Sequence, residues 1–66
     1  MNVIINGTPR ALADGVCVGE AVALLTQARA GVAVAVNDRV VSRGGWDSTP
    51  LADGDRVEVL TAVQGG

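Results

Sequence analysis

Residues 32–36 read Val-Ala-Val-Ala-Val, and this alternation limits the possible folds more than any other stretch. A period of two places Val32, Val34 and Val36 on one face of a strand and Ala33 and Ala35 on the other. Three β-branched side chains in a row make an apolar face that needs a cover, and the valine face is assigned to the side a helix covers. The cover lies upstream. From Val18 to about Ala30 the apolar spacing becomes helical, with Val18, Val22 and Leu25 at i, i+4 and i+7 and Ala21, Leu24 and Ala28 beside them. Gly19 is a weak point of about 1 kcal/mol relative to Ala. Gly31 sits where a left-handed C′ glycine would end the helix.

The remaining segments read as strands and turns. Asn2 to Asn6 is a short strand and Asn6-Gly7 a two-residue hairpin signal, because both positions tolerate positive φ. A second strand is expected through Arg10, Ala11 and Leu12, with Pro9 near its start, and Asp14-Gly15 turns the chain. Asn37-Asp38 is a turn and Val40-Val41 a short strand. Ser42 to Pro50 is an irregular connection holding the sole tryptophan, Trp46, and Asp53-Gly54 is the next turn. Arg56 to Ala62 forms the last strand, with Val57 and Val59 on one face and Glu58, Leu60 and Ala62 on the other. The order is hairpin, helix, strand, short strand, last strand. If the last strand inserts beside the first, the two run parallel through a crossover that includes the helix. That is an α+β, β-grasp arrangement, a mixed four- to five-stranded sheet packed on one helix. Residues 1–62 are expected to form the single β-grasp domain and 63–66 a flexible C-terminal Gly-Gly tail.

Composition narrows the function. Sixty-six residues suffice for one core, and 48% are hydrophobic with a single aromatic, so that core is built from Val, Leu, Ile and Ala. Five basic residues, all arginine, against seven acidic give a net charge of -2. This disfavours a nucleic-acid partner and suits one with a basic docking surface. No His, Lys or Tyr is present, so the usual general bases and Schiff-base nucleophiles are missing, and no catalytic residue is assigned. The lone Cys17 excludes an internal disulfide and a Cys-only metal cluster. No metal-ligand set and no bound cofactor are expected. The first residues lack the basic and apolar regions of a signal peptide, and no run approaches a membrane span. A cytoplasmic protein that binds no membrane is the expectation.

Singly, the polar residues have structural explanations. Cys17 could be a nucleophile at a helix N-terminus, but a half-buried residue standing in for an N-cap hydroxyl is preferred. Asp53 and Asp55 flank a turn glycine without a third ligand beside them, and Gly44-Gly45 lacks the strand, helix and Lys of a phosphate loop. Trp46 is expected to pack over the core edge, and Arg39 and Arg43 to be solvated. Ile4, Ala33, Ala35, Leu60 and Ala62 together would form an apolar patch on the face away from the helix, a candidate partner-binding surface.

The chain closes on Ala62-Val63-Gln64-Gly65-Gly66. Two glycines add nothing to a core and raise the entropy of a terminus, so they are a poor structural choice. An unbranched tail can instead thread a narrow slot and present its carboxylate. Four residues after Ala62, extended, reach roughly 14 Å.

In sequence the chain resembles the sulfur carrier proteins of thiamin biosynthesis, the ThiS family, over essentially its whole length. The residues that carry the likeness are Ala30-Gly31-Val32-Ala33-Val34-Ala35-Val36-Asn37, then Val41-Ser42-Arg43 with Trp46, then Asp53-Gly54-Asp55-Arg56-Val57, and Gly65-Gly66. Family members commonly carry Thr where Cys17 stands and Pro where Ser42 stands. The resemblance implies a ubiquitin-like carrier, not an enzyme, whose Gly66 is the modified residue. An E1-like adenylating enzyme would use Mg-ATP to make an acyl-adenylate of the Gly66 carboxylate. Sulfur from cysteine, delivered by an enzyme such as a cysteine desulfurase, would convert it to a thiocarboxylate, and thiazole synthase would take that sulfur. Gly65, Gln64 and Val63 would serve tail recognition, and Leu60 would anchor docking. Three alternatives remain open: the small subunit of molybdopterin synthase or another thiocarboxylate carrier, a ubiquitin-like covalent modifier, and a plain interaction module with an inert tail.

Overall fold

Hydrogen bonding in the computed structural model, which describes residues 1–27 and 30–61, organises the chain around one sheet and one helix. Five strands, β1 (Asn2–Ile5), β2 (Thr8–Ala11), β3 (Val32–Val36), β4 (Arg39–Val41) and β5 (Arg56–Thr61), lie in the order β2-β1-β5-β3-β4. The last strand takes the centre. It runs parallel to β1, with Ile4 beside Arg56 and Ile5 beside Val57, and antiparallel to β3 from Val32–Thr61 to Val36–Val57. This is the β-grasp arrangement, with five strands.

Two turns set the registers. Asn6 and Gly7 have φ of 51° and 80°, and Asn37 and Asp38 have φ of 50° and 69°, so both hairpins turn through paired left-handed residues. The first aligns Ile5 with Thr8 and the second Val36 with Arg39. β2 begins at Thr8, earlier than its sequence suggests. Pro9 sits opposite Ile4 on this edge strand, where its missing N–H breaks no ladder.

Parity along each strand then decides burial. Val3, Ile5, Val34, Val57 and Val59 face inward and are buried together with Val18, Ala21 and Val22 of helix α1 (Val18–Leu25) and with Trp46 and Leu51. Each such aliphatic side chain contributes about 1.5–3 kcal/mol by leaving water. Val32 and Val36 are partly buried against the same core, so the valine face of β3 is the helix side.

The helix is shorter than the Val18–Ala30 expectation. It ends at Leu25, because Thr26, although its N–H still reaches the Val22 carbonyl at 3.0 Å, turns extended at φ -153° and ψ 148°. A β-branched residue loses little by leaving the helix there. Gly31 is left-handed, φ 72°, but stands well past the helix end and turns the chain into β3, so it is not the C′ residue. Leu24 is 55% exposed and outside the buried stripe. The expected helical position of Ala28 lies outside the described residues.

The connection 42–50 is also more regular than it reads. Arg43–Ser48 forms a 3-10 helix started by the Gly45 N–H donating to the Ser42 carbonyl at 2.8 Å. Its Trp46 ring is buried, and the indole N–H donates to the Val41 carbonyl at 3.0 Å. The absent side chain of Gly19 lets this segment close on α1, since a Cβ there would meet the Asp47 carboxylate. The segment then returns to the helix start, where Val18 N–H donates to Thr49 O and Leu51 N–H to Val16 O, each at 2.9 Å.

Candidate functional site

On the face away from α1, strand pairing brings side chains of β5, β3 and β4 together. Leu60 lies opposite Ala33, Glu58 opposite Ala35, and Ala35 opposite Val40. Leu60 is 68% and Val40 82% exposed. With Asp38 at the rim, these residues line a shallow depression of about 310 Å³. Its floor is methyl groups and its rim carries two carboxylates, of which Asp38 pairs with Arg56 at 3.2 Å. An exposed apolar surface edged with negative charge suits a partner that offers apolar side chains within a basic surround.

Three of the expected patch residues, Ala33, Ala35 and Leu60, therefore meet. Ile4 does not. It lies on β1 beside Arg56, so the charged outward residues Arg56 and Glu58 separate it along β5 from Leu60. Ala62, Val63, Gln64, Gly65 and Gly66 lie outside the described residues. Val40 is the member that the sequence reading missed. The two-residue turn at Asn37-Asp38 was signal enough, because pairing Val36 with Arg39 forces Val40 opposite Ala35 and onto its face.

Other candidates take structural roles. Cys17 is the N-cap of α1; its N–H and thiol both reach Glu20 Oε1, at 3.3 and 3.4 Å. A carboxylate against the sulfur is opposite in sign to the surroundings that activate thiols. Asp53 Oδ1 accepts the Asn2 N–H at 2.6 Å, and Asp55 accepts the Ala52 N–H at 2.8 Å and the Asn37 amide at 3.0 Å. These carboxylates hold turns. No group of three or more His, Cys, Asp or Glu able to hold a metal occurs among the described residues. No helix among them is long and apolar enough to cross a membrane.

A second groove, about 460 Å³, lies on the other side of the molecule between α1 and the 3-10 helix, lined by Val22, Ala23, Gln27, Arg43 and Asp47 among others. It is remote in topology from the end of β5. The outer depression, by contrast, includes Leu60, the residue before the last described one.

A model described as the ThiS family matches residues 3–66. Sulfur carrier protein ThiS of Escherichia coli (strain K12) is 32% identical over 66 residues, covering 100% of both chains. The crystal structure of the thiamine biosynthesis protein ThiS from Geobacter metallireducens superposes with a TM-score of 0.80 at 38% identity, covering 100% of both chains. A solution structure of a thiamine biosynthesis protein from the same organism gives 0.81 at 38% identity, over 100% of this chain and 88% of that one.

Proposed function

Because the chain belongs to the ThiS family, we propose that it is a sulfur carrier of thiamin biosynthesis whose Gly66 carboxylate becomes a thiocarboxylate. The observation that carries this reading is the family match running through to the terminal Gly65-Gly66. The chemistry follows from what a carboxylate lacks. Its oxygens are poor leaving groups, so the acyl carbon accepts no sulfur until one oxygen is activated. An E1-like adenylating enzyme joins that oxygen to the α-phosphorus of Mg-ATP and releases pyrophosphate. A sulfur nucleophile, supplied through a donor such as a cysteine desulfurase, then attacks the acyl carbon. The C–O bond to AMP breaks and AMP leaves. Free sulfide leaves the C-terminal thiocarboxylate directly. A donor persulfide leaves an acyl disulfide, whose S–S bond a thiol reductant cleaves, itself becoming a disulfide, before thiazole synthase takes the sulfur.

The carrier contributes no base in this scheme; it contributes presentation. ATP, Mg and the acid-base groups belong to the partner. Leu60, Ala33, Ala35 and Val40 offer the docking surface, Val63 and Gln64 a peptide backbone to grip, and Gly65 a passage without a Cβ. Of these docking residues Leu60 lies on β5, the strand whose chain continues toward the reacting carboxylate.

The test is intact mass after incubation with an adenylating enzyme, ATP and sulfide. Exchange of O for S adds about 16 Da, which sulfoxidation of Met1 or Cys17 also adds, so fragmentation must place the gain on Gly66. The Gly65→Val chain is expected to stay unmodified while folded. A gain found elsewhere, ladders of heavier lysine conjugates, or an unmodified wild-type chain would overturn the reading.

A further inference from the structure

The two hairpin turns share a device that tail chemistry alone does not require. Each begins with a left-handed asparagine, and in each the carboxamide reaches across to β5. Asn37 holds the strand where it begins: its Oδ1 accepts the Arg56 N–H and its Nδ2 donates to Asp55 Oδ1, both at 3.0 Å. Asn6 holds it near its end. Its Oδ1 accepts the Val59 N–H at 2.8 Å, and its Nδ2 donates to the Val59 carbonyl at 3.1 Å.

The Asn6 pair replaces a missing rung of the sheet. Along the parallel ladder the Ile4 N–H donates to Asp55 O and the Asn6 N–H to Val57 O, both at 2.9 Å. The main chain then turns away at Gly7, φ 80°, one rung before Val59. The carboxamide supplies that rung in both directions. β5 is thus held on both edges as far as Val59, and from there to Thr61 by β3 alone.

We infer that Asn6 is a positioning residue for the C-terminal tail, holding β5 between two neighbours and so setting the direction in which the chain leaves Thr61. The inference rests on the carrier reading. Its leverage is geometric. Gly66 is five residues beyond Thr61, up to about 17 Å if extended, so a swing of about 10° at the strand end shifts the centre of the region the carboxylate can reach by up to about 3 Å. Activation needs the reacting atoms placed far more closely than that. A strand end with a wider range of directions spends a smaller fraction of its time in the competent one, and the apparent affinity falls by that fraction.

Asn6→Gly tests this, because glycine keeps the left-handed turn while removing both bonds. For adenylation of the carrier, its KM is expected to rise about three- to tenfold, with kcat within about twofold of wild type. Exchange of the Val59 amide should quicken by about tenfold or more. Asn37→Gly removes the equivalent bonds at the far end of β5 and is the control. It should lower stability comparably and leave KM unchanged. Asn6→Asp keeps the acceptor for the Val59 N–H while setting an oxygen against its carbonyl, and its KM should lie between wild type and Asn6→Gly. The same variant keeps the test open should Asn6→Gly not fold. An unchanged KM for both Asn6 variants, or an equal rise for Asn37→Gly, overturns the inference while the carrier reading stands. Failure of the wild-type chain to be adenylated overturns both.

Discussion

At position 42 the backbone already has the shape of a residue the chain does not carry. Ser42 has φ -66° and ψ 151°, and its side chain makes no cap hydrogen bond to the 3-10 helix that follows. A proline ring locks φ near that value, so Ser42→Pro removes freedom from the unfolded chain at little cost to the folded one. It is expected to stabilise by about 0.5 kcal/mol, read as a higher denaturant midpoint at unchanged slope. A fall in midpoint would mean that the Ser42 N–H is needed where it stands. Other residues were only half legible. Asn6 and Asn37 could be read as turn formers from their neighbours, but not as clamps on β5, since the Val59 and Arg56 groups they bind are distant in sequence. Gly19 reads as a helix weakness, and only the approach of Asp47 shows the space it leaves.

Among the elements, β4 shows how far pattern reading reaches. It is three residues long, too short for a period to be counted, and Val40-Val41 could face either way. The turn before it settles the matter, putting Val41 over the core and Val40 into the outer depression. Exposed side chains contribute little to stability, so Val40→Asp and Leu60→Asp should each unfold within about 0.5 kcal/mol of wild type. At the centre of a docking surface the same changes should weaken binding to the adenylating enzyme about tenfold or more, measured by calorimetric titration. Ile4→Asp should leave that affinity nearly unchanged, being on β1 beyond Arg56. If Ile4→Asp were as damaging as Leu60→Asp, the docking surface would have to be redrawn across β1. The helix errs in the opposite direction from β4. Apolar spacing carried it to Ala30, while the backbone leaves the helix at Thr26, because spacing records which side chains could share a face and not where the hydrogen bonds stop.

At the scale of the molecule, the proposed function gives body and tail separate tasks. The described core runs from Val3 to Val59, and glycines at 65 and 66 have no side chain to add to a core. Deleting them should move the thermal midpoint by less than about 2 °C, as followed by circular dichroism, and abolish thiocarboxylate formation. A truncated chain that still carries sulfur would sink the carrier reading, and one that unfolds would sink the division of tasks. What the sequence determined by itself is local and periodic: the two asparagine turns, the valine face of β3 and the presence of the helix that covers it. Those follow from φ preferences and side-chain parity, which need no distant partner. Only the tertiary structure decided that Val40 replaces Ile4 in the patch, that the helix ends early, and that Asn6 grips the last strand. Each depends on which strands become neighbours, and that is set by burial of the whole core rather than by any residue's own surroundings in the chain.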